Sequence, residues 1–247
     1  MKENYYKKKL DDKALKYHLK QFEKPYRSTI KFCEFIEKYI DDIPKNGIID
    51  IACGSGANVY YMNKIWNTRT IGMDFNPELV KIGKSFAKNK ENIDFLQMDL
   101  YKLNEIKNRE KILNLINRKK FGITSYQTLS WLKSWKLPFE KMLSLEPSWI
   151  CISSLFYDGP LEYKIVVKDL TRNGIEYFYN IYSIQKIADL LTEYGYNCYY
   201  KKFEIDMELP KPKDGNIGTY TIKSEEGLLQ MSGALYLPWY FILGKKK

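Results

Sequence analysis

The sequence predicts an α/β fold, a doubly wound and mostly parallel sheet of seven strands, on three observations. Residues Gly47 to Val59, GIIDIACGSGANV, pass from an aliphatic stretch through a glycine turn into the amphipathic YYMNKIW. Further short strand-like stretches end in an acid, so that Asp50, Asp74 and Asp99 stand 24 and 25 residues apart. Alternation of apolar strand and helical pattern at that interval is what parallel strands joined by helical crossovers require. Finally, 247 residues allow one larger domain with two helical layers around such a sheet.

The elements follow in order. Residues 1–45 read as a helical annex, two helices broken at Lys24-Pro25; in the second, Ile30, Cys33, Ile36, Ile40 and Ile43 recur at helical spacing. Ile48, Ile49 and Ile51 make a buried first strand. The turn after it gathers backbone N–H groups at the carboxyl edge, where open α/β sheets bind nucleotide-like ligands. Gly54 and Gly56 let a ligand approach backbone that a Cβ would block. A dinucleotide loop would need a third glycine where Val59 stands, and the acid Asp50 suits a ligand bearing an ammonium group better than a pyrophosphate. The second strand, Thr70 to Met73, ends at Asp74; a helix starts at Asn76-Pro77, a capping residue followed by proline at the first helical position. Lying about 20 residues past the glycines, Asp74 is placed to accept from both hydroxyls of a ribose.

A third strand, Ile93 to Met98, ends at Asp99 and Leu100, and residues 102–120 read as a charged surface helix. Phe121 to Ser125 is the fourth strand, followed by Tyr126 and Gln127, and Trp149 to Leu155 is the fifth. Asn173-Gly174 between two β-rich runs predicts a hairpin, so residues 156–182 read as a β-ribbon lid rising from the carboxyl edge. A helix from Ser183 to Tyr194 is closed by Gly195. Residues 196–206 supply the sixth strand, residues 207–235 a second insert with the hairpin YTIKSEEGLLQMS, and YLPWYFIL the last strand.

The run from Asp50 to Gly56 resembles motif I of the class I S-adenosylmethionine (SAM)-dependent methyltransferases, an acid, two residues, a small residue and G-x-G; the resemblance covers roughly residues 45–200. It implies a class I methyltransferase fold with SAM as cofactor, held by Asp50, Ala52, Gly54, Gly56, Asp74, Phe75, Asp99, Leu100, Tyr126, Gln127 and Arg27. Asp99 and the Leu100 N–H would face the adenine. An annex of this kind covers the pocket in the family, which brings Tyr17, Tyr26 and Arg27 toward the ligand. The implied reaction is methyl transfer to O or N of a small polar acceptor. Proximity and alignment supply much of the acceleration, and a base is needed only for a hydroxyl or a protonated amine. Asp158 and Tyr126 are the catalytic candidates, with Gln127 and Tyr157 beside them. The closing segment QMSGALYLPWYFILGKK distantly resembles bacterial enzymes associated with surface-polysaccharide synthesis. An RNA or protein methyltransferase, and a SAM-binding partner subunit without turnover, are the alternatives.

Composition narrows the classes. No apolar run approaches the roughly 20 residues of a membrane span, and MKENYYKKKLDDK lacks the apolar core of a signal peptide, so a cytoplasmic protein is expected. Cys33, Cys53, Cys151 and Cys198 show no C-x-x-C and read as packed thiols. A single histidine, His18, excludes a histidine-based metal site, and no metal is expected. The net charge of +10 favours anionic ligands in general. Nucleic acid is nevertheless not the expected partner. SYQTLSW after the fourth strand is not the Asn/Asp-Pro-Pro-aromatic loop that receives an extruded amino group, and no cysteine precedes a proline. Oligomeric state is not legible.

Overall fold

In a computed structural model, the structure describes residues 12–43, 47–117, 119–170, 174–213, 218–225 and 227–247. Two helices lead, α1 (Asp12–Glu23) and α2 (Arg27–Tyr39), broken at Lys24-Pro25 as the sequence predicts. There follow β1 (Ile48–Ile51), α3 (Ala57–Trp66), β2 (Thr70–Asp74), α4 (Pro77–Ala87), β3 (Ile93–Gln97), α5 (Ile106–Leu115), β4 (Gly122–Tyr126), α6 (Lys136–Leu143) and β5 (Trp149–Tyr157). Beyond β5 come β6 (Val166–Asp169), β7 (Ile175–Phe178), β8 (Tyr182–Ser183), α7 (Ile184–Glu193) and β9 (Tyr196–Lys202). The chain ends with β10 (Thr219–Ser224), β11 (Gly227–Ser232), β12 (Leu235–Tyr236) and β13 (Trp239–Lys246).

The main sheet runs β3-β2-β1-β4-β5-β13-β9, with β8 adding two residues beside the end of β5. Its first five strands are parallel, and β13 lies antiparallel between β5 and β9. This is the expected seven-stranded, mostly parallel arrangement. Because β1 pairs with β2 on one side and β4 on the other, the order reverses at β1. Crossovers leave in opposite directions there and open a crevice at the carboxyl ends.

Two helical layers cover the sheet. Ile49 and Ile51 join Ile112 of α5, Phe139 and Met142 of α6 and Ile187 and Leu191 of α7 in one core cluster. Ile48 joins Phe32 and Ile36 of α2 and Met62 of α3 in the other. Strand alternation puts Asp50 on the Ile48 face. Local signals hold the ends: Asn76 accepts from the Glu78 N–H at 2.9 Å with Pro77 behind it. Ser183 caps α7, and Gly195 closes it at φ +82°.

The structure departs from the sequence reading in three places. The α6 helix is an addition; its apolar positions Phe139, Met142 and Leu143 pack into the core although Pro138 sits in the first turn, where a missing N–H costs nothing. The expected last strand is divided, because Leu235-Tyr236 pair with β11 while Pro238, which has no N–H to give, precedes β13. The sixth strand stops at Lys202 rather than 206.

Both inserts are present as hairpins. β6 pairs with β7 from Val166–Phe178 to Asp169–Ile175, although Asn173 of the expected turn lies outside the described residues. The ribbon is anchored at its base. Asn180, fully buried, accepts from the Ile165 N–H at 3.0 Å and donates to the Leu132 carbonyl and the Tyr182 hydroxyl, both at 2.9 Å. No described helix is long and apolar enough to cross a membrane.

Candidate functional site

The crevice at the β1 switch point is built from backbone held in unusual conformations. Ala52, Gly54 and Gly56 have φ of +59°, +59° and +86°, and Gln127, at the end of neighbouring β4, has φ +55°. Ala52 and Gln127 carry side chains in a region that L-residues enter at a cost. Such strain on adjacent strand ends marks the place where a fold gives up stability for a site.

The two glycines have different reasons. Among the described residues a Cβ on Gly54 would meet only His18 Cε1, at 3.7 Å. A Cβ on Gly56 would lie 2.1 Å from Phe95 Cε1. Gly56 is therefore required by packing against β3 and by its left-handed φ; the expectation that it clears a ligand is corrected to that extent.

Asp50 is 2% exposed on β1 and sits directly across from Thr124 on β4, whose hydroxyl donates to Oδ1 at 2.8 Å. Its Oδ2 is buried with no hydrogen-bond partner among the described residues. Burial pushes this carboxyl up to about 7, the Thr124 hydroxyl holds it down, and Asp74 nearby adds to the rise. A buried, half-satisfied carboxylate calls for a cation or a proton.

At the end of β2, Asp74 Oδ2 accepts from the Gly54 N–H and Oδ1 from the Asn76 N–H, each at 2.8 Å. These bonds pin the glycine loop to β2. Burial raises the Asp74 carboxyl while the Asn76, Gly54 and Phe75 N–H groups oppose the rise. Each oxygen keeps a second lone pair, enough for two ribose hydroxyls. Phe75 follows it, with its carbonyl accepting from Gln97. Asp99 is half-buried at the end of β3, where it accepts from the Tyr101 N–H at 3.0 Å and begins a short 3-10 turn that includes Leu100. The structure thus brings Asp50, Asp74, Asp99 and the glycine loop to one edge of the sheet.

Other candidates are placed differently. Arg27 is paired: its guanidinium grips both oxygens of Asp206, in the segment after β9, and both side chains are exposed. Asp158 is exposed past the end of β5 and accepts from the Tyr200 hydroxyl at 3.3 Å, across the sheet toward β9. That contact ties the end of β5 to β9. The Tyr126 hydroxyl is buried beside Ser28 and Thr29 of α2, and its ring meets Phe32 of α2 edge-on at 5.3 Å. Burial raises this phenol, which makes it a poor base and a donor instead.

The annex supplies what the sequence reading does not. His18, half-buried on α1, lies on the Gly54 loop. Tyr17 packs edge-on to it at 5.4 Å, and Tyr26 stands 6.1 Å from Tyr17. No local pattern marks His18, because its neighbour is fixed by tertiary packing. Two clefts of about 380 and 390 Å³ lie away from this crevice, around Arg109, Glu146 and Lys246; Arg109 is paired to Glu146, and no strand-end acid lines either.

Comparison with known proteins agrees with this geometry. A family model described as a methyltransferase domain matches residues 48–118, which span β1 through α5. A search of curated proteins finds no significant match. Among solved structures, the YcgJ protein of Bacillus subtilis superposes with a TM-score of 0.58 at 13% identity, over 90% of this chain and 100% of that one. The PH0226 protein of Pyrococcus horikoshii OT3 gives 0.54 at 14%, over 91% and 92%. The 1,6-didemethyltoxoflavin-N1-methyltransferase of Burkholderia thailandensis, solved with 1,6-didemethyltoxoflavin and S-adenosylhomocysteine, gives 0.54 at 10%, over 94% and 83%. The chain has the fold of the SAM-dependent methyltransferases, and residues 48–118 carry the sequence pattern of a methyltransferase domain.

Proposed function

We propose that the protein binds SAM in the β1 crevice and transfers its methyl group to O or N of a small polar acceptor. The observation that carries this reading is the fully buried Asp50 with an unpartnered oxygen, beside a glycine loop pinned open by Asp74. An anion stored in that way fits a ligand with an ammonium group. It does not fit a pyrophosphate, which like charges would repel. Asp74 and Asp99 then serve ribose and adenine, and the loop N–H groups of the α3 start serve the carboxylate. When bound, SAM supplies a methyl group on a sulfonium, which a nucleophile displaces in line. The residues' part is to align the acceptor and exclude water.

The ribbon β6–β7 packs through Tyr177 with Leu155 of β5 and Trp239 of β13, and the Trp131 ring centre lies 4.4 Å from that of Tyr179 and 5.8 Å from that of Tyr177. We assign the acceptor to the space between this ribbon and the annex. Calorimetry with SAM, followed by a labelled-methyl screen of nucleotide-sugars, phosphorylated metabolites and amino acids, tests the reading. Label in one of these pools supports a small-molecule acceptor, including a surface-polysaccharide precursor. Label only in RNA or protein would overturn that part, and stoichiometric binding with no labelled product would point to a non-catalytic partner subunit.

A further inference from the structure

The annex places the chain's only histidine on the glycine loop. An imidazole carbon stands 3.7 Å from where a Cβ of Gly54 would be, over a loop position otherwise open among the described residues. We infer that His18 is the roof of the cofactor pocket, that its ring contacts bound SAM, and that cofactor binding and His18 protonation oppose each other. The inference rests on the SAM reading above. It adds a residue that neither motif I nor the strand-end acids include.

The physical argument is charge in a shared, poorly hydrated space. SAM brings a sulfonium and an ammonium against a single carboxylate, which the N–H groups of the α3 start take up, so an imidazolium on the same loop meets a ligand of net positive charge. Burial already disfavours the charged ring in the free protein. Tyr17 on its own helix packs against the ring; across from it Gly54 donates its N–H to Asp74 and its carbonyl meets the Cys53 thiol, and Lys16 and Lys20 are exposed on α1. The positive charge of the bound ligand adds to that burial and opposes the ring's proton further. Tyr17 and Tyr26 extend the roof as aromatic faces, which tolerate a cation where an imidazolium does not.

A single histidine makes the test direct. The untagged full-length chain, labelled at histidine, gives one imidazole signal that is followed by NMR from pH 5 to 8 with and without SAM. The expected result is a signal that moves on adding SAM and a titration midpoint lowered by about one pH unit, equivalent to about tenfold weaker binding to the protonated form. If calorimetry shows SAM bound while signal and midpoint stay fixed, the inference is overturned and the methyltransferase reading stands. No SAM binding at all overturns both. As a second measurement, His18→Gln should flatten the pH dependence of SAM affinity only in part, because Asp50 titrates in the same range; a profile superposing on the parent's overturns the coupling.

Discussion

Replacing Asp50 by Asn should stabilise the free protein at alkaline pH while weakening its hold on SAM. In the folded chain the Asp50 carboxyl binds its proton up to about pH 7, against 3.8 as the ordinary value, because it is buried. The folded state therefore holds a proton that the unfolded state releases. Stability from this group is full below about pH 4, is lost as pH rises toward 7, and is flat above. A rise of about three pH units corresponds to roughly 4 kcal/mol of cost at pH 8. Asn keeps the shape and an oxygen for the Thr124 hydroxyl, which donates at 2.8 Å, but has no charge to desolvate. Its amide leaves a buried donor unpaired, which returns about 1–3 kcal/mol of that gain. The net expectation is a variant about 1–3 kcal/mol more stable than the parent at pH 8 and less stable at pH 4, with SAM affinity reduced at least tenfold. Denaturant unfolding at both pH values, with calorimetry at pH 8, measures all three. A stability difference that does not change with pH would mean Asp50 is already compensated in the fold, and the reading of it as a waiting anion would fail.

Gly54→Val should leave the chain folded but unable to bind SAM, since a branched side chain at φ +59° fills the open loop; normal calorimetric affinity would contradict this. Gly56→Ala should instead lower Tm and cost stability outright, because the new Cβ meets Phe95 at 2.1 Å; thermal melts of this variant and of its Phe95→Ala double mutant, in which part of the loss returns, check the cause. Asn180→Ala should cost about 1–3 kcal/mol by orphaning the Ile165 N–H at the base of the ribbon, and denaturant melts read it. Asp158→Asn should keep SAM affinity, and turnover decides its role: a rate lowered roughly 100-fold or more makes it the base, and an unchanged rate leaves it as the partner of Tyr200.

What was legible in the sequence is what short-range chemistry decides. Glycine after an aliphatic strand, acids at strand ends and Asn76-Pro77 or Gly195 at helix ends act within a few residues, and the structure has them as expected. Contacts that depend on distant chain are not carried by the local pattern. Arg27 meets Asp206, 179 residues away, and Asp158 meets Tyr200, 42 away. His18 reaches the glycine loop only because α1 packs on α3. The division at Pro238 and the reason for Gly56 depend likewise on which strand lies alongside, a choice the local pattern does not carry. Asp50 lies between these cases: its type is readable, but its unpaired oxygen follows from Thr124 on another strand.

The claim at the centre of this account is that SAM is held between the Gly54 loop and Asp74. A calorimetric titration of parent and Asp74→Ala with SAM, with both proteins shown to be folded, tests it most directly. The account predicts one SAM per parent chain and a loss of about 1.5–3 kcal/mol in the variant, the range for hydrogen bonds to a charged group. Equal affinity in the two proteins, or no binding by the parent, would contradict it.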